Sequence, residues 1–97
     1  MRESQIERYL VARVKALGGE VRKVQWIGRR GAPDRLVMWD RSGGDFEYPA
    51  YVSCWVELKA PGKKPEPHQL REHERMRAMG QRVEVIDSIE AVEDLLS

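Results

Sequence analysis

The sequence predicts a mixed α/β sandwich around a small sheet, with elements in the order α-β-β-β-α-β-α. Three observations predict it. Apolar residues recur at helical spacing near the start of the chain, at Ile6, Leu10, Val14 and Leu17. Two runs rich in aromatic and β-branched residues, 34–39 and 51–59, flank the turn signal Arg41-Ser42-Gly43-Gly44-Asp45. A proline-rich break at 60–67 then separates those runs from a second helix, a strand and a last helix.

Each element has its own local reason. The first helix is expected over residues 3–17, stopped by Gly18-Gly19. Glu3 and Glu7 fall in or beside its apolar stripe, and a carboxylate beside a core face needs a partner. Two readings of Glu7 stand: it pairs with an arginine such as Arg8 or Arg13, or it reaches over the sheet toward a cation or its water. A strand is expected over 20–27, followed by the loop Gly28-Arg29-Arg30-Gly31-Ala32-Pro33. Its glycines let backbone approach a ligand closely. The second helix is expected over 68–79 with Gly80 as its stop, and Gln69, His73 and Met76 share one of its faces. His68 and His73 are expected at the surface or boundary. A short strand over 82–86 precedes a final amphipathic helix capped by Ser88 and carrying Ile89, Val92, Leu95 and Leu96.

At 97 residues the chain is one domain, 1–97, with little core to spare, so self-association is plausible. No apolar run is long enough to span a membrane, and the N-terminus has no signal-peptide core, which fits a cytoplasmic protein. A lone Cys54 forms no internal disulfide and is expected to pack inside its strand; two histidines and one cysteine are too few for a usual zinc site. Trp26, Trp39 and Trp55 read as core or dimer contacts. Net charge is only +1, but its distribution is uneven. Arg22, Lys23, Arg29, Arg30 and Arg35 crowd around Asp34, and Lys59, Lys63 and Lys64 follow Glu57, as phosphate contacts require.

The chemistry centres on Trp55-Val56-Glu57-Leu58-Lys59 read with Gly31-Ala32-Pro33-Asp34. Strand alternation puts Glu57 and Lys59 on one face and Val56 and Leu58 on the other. An antiparallel pairing centred near Gly44-Asp45-Phe46 sets Asp34 across from Glu57, with β-carbons about 5 Å apart. Two carboxylates so close repel unless one is protonated or a cation lies between them. A hard divalent ion with oxygen ligands resolves this.

Gly31-x-Pro33-Asp34, then Glu57-x-Lys59, then Gln69 after a Pro/Lys-rich loop, resemble the PD-(D/E)XK nuclease superfamily, and within it the VRR-NUC family. The likeness covers nearly the whole chain. It implies a restriction-endonuclease-like α-β-β-β-α-β core with a mixed central sheet and a short C-terminal helix. It also implies Mg²⁺- or Mn²⁺-dependent hydrolysis of DNA phosphodiesters by a homodimer, on branched or structured DNA such as Holliday junctions. Carried over residue by residue, Asp34 and Glu57 match the metal carboxylates, Lys59 the motif lysine, Gln69 the helix glutamine and Glu7 the first-helix acid, with Glu3 one turn away. The backbone carbonyl of Leu58 is expected to add a further oxygen ligand, and Glu7 one through water. Arg29, Arg30, Arg35, Lys63 and Lys64 are the expected DNA-binding residues. A non-catalytic DNA-binding module that keeps a nuclease fold is the alternative, and a ribonuclease a third reading.

Overall fold

A computed structural model describes residues 1–97. Seven elements follow in the expected order: α1 (Glu3–Ala16), β1 (Glu20–Lys23), β2 (Arg35–Asp40), β3 (Tyr51–Leu58), α2 (Pro67–Ala78), β4 (Val83–Ile86) and α3 (Ile89–Leu96). The strands form one sheet in the order β1-β2-β3-β4. The first two pairings are antiparallel and β3 runs parallel to β4. That parallel step is made by α2, since parallel neighbours need a crossover.

One sheet face carries α1 and α3. Ile6, Leu10 and Val14 are fully buried there, as the stripe predicts, against Val37, Trp39, Cys54, Val56, Leu58 and Ile86 and against Val92, Leu95 and Leu96 of α3. Cys54 is 1% exposed and its thiol is pushed up to about 11 by burial. A second tie joins the helices at their rim: Tyr9 Oη donates to Glu93, and Arg13 Nε donates to the same carboxylate at 2.7 Å. Helix α2 covers the opposite face, where Met76 and Val83 are buried apart from the main core.

The α1–β1 joint is tight. A β-carbon on Gly19 would lie 2.2 Å from the Met38 carbonyl oxygen, so only glycine fits. β1 is shorter than the expected 20–27. After Val24, whose N–H donates to the Asp34 carbonyl at 2.9 Å, the chain leaves the sheet. Trp26 then turns its indole N–H to the Pro33 carbonyl at 2.8 Å, and Ile27 stands 96% exposed.

The β2–β3 connection runs from Arg41 to Ala50 and is longer than the turn signal. Asp40 Oδ1 holds both its ends, accepting from Ser42 N–H at 2.9 Å and Ala50 N–H at 2.8 Å. These backbone donors, with the Ser42 hydroxyl, hold the Asp40 carboxyl below the usual carboxylate range. α2 begins one residue earlier than expected because Pro67 takes the first turn, where a missing N–H costs nothing.

Candidate active site

The site forms where β2 begins and β3 ends. The β2–β3 ladder pairs Arg35 with Val56, Leu36 with Trp55 and so on to Asp40 with Tyr51. Continued by one residue, the same register sets Asp34 opposite Glu57, as the sequence implies. Val56 and Leu58 turn into the main core, so Glu57 and Lys59 share the face covered by α2.

Helix α2 meets both residues. Gln69 Oε1 accepts from Lys59 Nζ at 3.0 Å, and His73 Nε2 lies 3.4 Å from Glu57 Oε1. Four residues along a helix rise about 6 Å. Two along a strand rise about 6.6 Å. The Gln69/His73 spacing therefore matches the Glu57/Lys59 spacing. Gln69 Oε1 also accepts from Glu66 N–H at 2.8 Å, which closes the start of α2. With the oxygen used twice, the amide NH₂ is left to face a phosphate oxygen or a water.

His73 is 0% exposed, and so is not at the surface or boundary where the sequence suggests. Its helical face is continuous with Met76, and that periodicity is the signal that marks it as buried.

Glu57 is an electrostatically stressed carboxyl. Burial pushes it up to about 7; the charges of Asp34 and Glu3 push the same way, while Lys59 and Arg35 pull against them. Asp34 is half-exposed and meets Arg35 Nη1 at 2.7 Å. This donor set fits a hard cation. The Asp34 charge is felt at Glu57, whose surroundings already disfavour its anion, and a positive ion beside them would relieve both. No three Asp, Glu, His or Cys side chains converge to cage an ion by themselves. The other oxygens must come from the Leu58 carbonyl, water or substrate, as is usual for Mg²⁺.

The first helix presents its two acids differently. Glu7 is bound by Arg35, through Nε at 2.8 Å and through Nη2. It pairs with neither Arg8 nor Arg13, because Arg13 is held by Glu93. Glu3 has no ion pair, and its charge is felt at Glu57. Arg35, expected to face phosphates, has a side chain only 12% exposed and spans Glu7 and Asp34. Arg29 is half-exposed but anchored to the buried Glu72 of α2, which also takes Arg75. Arg30, Lys63 and Lys64 are exposed and make no ion pair.

The glycine loop is seated on α2. Gly31 has φ +87°, and a β-carbon there would come within 2.9 Å of the His68 carbonyl oxygen. Backbone contact at that spot needs a residue without a side chain. Trp26, read from the sequence as a core or dimer contact, is a positioning residue. Its bond to the Pro33 carbonyl fixes the chain next to Asp34, and its ring rests on Trp55 at 5.1 Å between centroids.

No family model matches the chain. It is 47% identical over 88 residues to a protein named "Putative nuclease p44" from Acyrthosiphon pisum secondary endosymbiont phage 1, across 91% of this chain and 85% of that one. A solved structure described as a VRR_NUC domain superposes with a TM-score of 0.77 at 43% identity, covering 97% of this chain and 92% of that chain.

Proposed function

The chain belongs to the VRR-NUC family of nucleases, and from that membership we propose that it is a divalent-metal-dependent endonuclease that hydrolyses DNA phosphodiesters, acting as a homodimer on branched or structured DNA. What supports this is the β2–β3 register: carried one residue past its Arg35–Val56 pair, it opposes Asp34 and Glu57, with Lys59 beside Glu57 on the same face.

Asp34, Glu57 and the Leu58 carbonyl would hold Mg²⁺ or Mn²⁺. The chemistry such an ion would supply is polarisation of the scissile phosphate and activation of a water. The chain's own groups do the rest. Lys59 places an ammonium where charge develops on the phosphorus centre. Gln69 fixes that ammonium through its oxygen and offers its NH₂ to a phosphate oxygen or the attacking water. Glu3 is the first-helix acid nearest this role, because it is unpaired. Glu7 acts through Arg35, which it locks beside Asp34. Arg30, Lys63 and Lys64 contact flanking phosphates, with the outer edge of Arg29 beside them. A two-fold pair of such sites suits cuts on two strands of a junction.

No helix is long and apolar enough to cross a membrane. A site for a nucleic-acid substrate and a phage relative fit an intracellular place of action.

The test is a panel of Holliday junctions, flaps, splayed arms, plain duplex, single strands and RNA, each incubated with Mn²⁺ or Mg²⁺, with sedimentation to give the oligomeric state. Cleavage of DNA that is lost in chelator and in Asp34→Ala supports the reading. Salt-sensitive binding without any turnover would favour a non-catalytic DNA-binding module.

A further inference from the structure

His73 is the one fully buried ionisable side chain of α2, and the hydrolytic roles above do not use it. Its Nε2 faces Glu57 Oε1 at 3.4 Å, and its Nδ1 is buried with no partner. Glu57 in turn has no other hydrogen bond to its carboxylate from the protein. An apolar side chain would fill the same space without leaving a polar atom unpaired. The ring therefore gives something to the carboxylate that bulk alone does not.

The tautomer follows from the partners. Opposite the ionised Glu57 that a cation requires, the oxygen only accepts, so Nε2 carries the hydrogen and Nδ1 the lone pair.

We propose that His73 is a positioning residue for the nuclease site: from α2 it donates Nε2–H to Glu57 Oε1 and fixes the orientation in which that carboxylate meets a divalent cation. The assignment rests on the nuclease reading above. It makes α2 a two-point clamp, with Gln69 setting the ammonium of Lys59 and His73 setting the carboxylate of Glu57. Groups that orient metal-binding side chains are typically worth about 10–100-fold in affinity or activity.

The experiment compares His73→Leu with His73→Gln, whose amide still reaches Glu57. In His73→Leu, Mn²⁺ affinity measured by calorimetry and kcat each fall roughly tenfold, with KM for DNA unchanged. His73→Gln recovers most of both. A metal-free readout runs alongside: in chelator, the Tm shifts of His73→Leu and Glu57→Leu do not add in the double variant, because each removes one side of the shared contact.

Folded His73→Leu with wild-type Mn²⁺ affinity and kcat overturns the proposal, and so does a His73→Gln variant as impaired as His73→Leu. If His73→Leu does not fold, His73→Asn replaces it, since its shorter amide falls short of Glu57. Equal values for Asn and Gln then overturn the proposal. If the wild-type protein neither binds Mn²⁺ nor cuts DNA, the nuclease reading fails. The chelator cycle still judges the contact, and additive Tm shifts reject it.

Discussion

Gln69 takes the Lys59 ammonium at 3.0 Å on the same oxygen that closes the start of its own helix. One amide thus joins a local folding signal to the chemistry of the site. Gln69→Ala removes both links. The expected result is a loss of about 1 kcal/mol in stability, typical of a lost cap. Cleavage falls by roughly 10–100-fold, as when a group that orients the reacting centre is removed. Urea melts and initial rates on a cut substrate check the two effects separately.

Removing Glu57's charge has opposite effects on fold and function. Its folded-state carboxyl, pushed up to about 7, gives up its proton less readily than in the unfolded chain. Above about pH 7 the unfolded state has long been ionised, so the buried anion costs stability in full. Glu57→Gln should raise stability at about pH 8 in chelator, on the order of 2 kcal/mol, while abolishing cleavage. A melt showing no gain, or a loss, would remove the electrostatic stress inferred here.

Arg35 separates structural arginines from nucleic-acid contacts. It is largely buried between Glu7 and Asp34. Arg35→Ala leaves Glu7 unpaired and should cost about 2–4 kcal/mol, whereas Arg30→Ala and Lys64→Ala should leave the melt unchanged. Those two should instead lower the slope of log binding constant against log salt by about 1 each. DNA titrations across a salt series read this directly.

Glu93 sets an acid limit on the α1–α3 tie. The Arg13 and Tyr9 hydrogen bonds hold its carboxyl down at about 2, against 4.5 unperturbed. A depressed folded value means that the contribution is present in full above the unfolded pKa and fades as pH falls from about 4.5 through 2. Glu93→Gln should therefore melt below wild type at neutral pH, and the gap should close toward pH 2. A gap that stays constant with pH would show that the pair does not act through ionisation.

Cys54 should be inert. Its thiol is buried and pushed up to about 11, so little thiolate exists at neutral pH. A chromogenic thiol reagent should react with it only at the rate of unfolding. Fast labelling of the folded protein would place the side chain elsewhere.

Much of this was readable from residue order, because period and register follow from local rules. The α1 stripe rests on the helical period, and the Glu57/Lys59 face and the β2–β3 register rest on alternation counted along the chain. What escaped depends on long side chains choosing among partners. Glu7 could not be given Arg35, 28 residues on, by helix geometry alone. The burial of His73, by contrast, was legible in the helical face it shares with Met76. β1 stopped early because the Trp26 indole took the Pro33 carbonyl, a contact that no periodicity encodes.

The Asp40 carboxylate grips the hairpin connection at both mouths, at Ser42 and at Ala50. Strand alignment is thereby held at the neck, and the tip beyond it is tied only to itself, as where Asp45 N–H donates to Ser42 Oγ at 3.0 Å. A peptide tag spliced between Gly43 and Gly44 would hang from a closed collar at the far end from the acids. That spot offers a handle for immobilising or labelling the protein with its business end undisturbed.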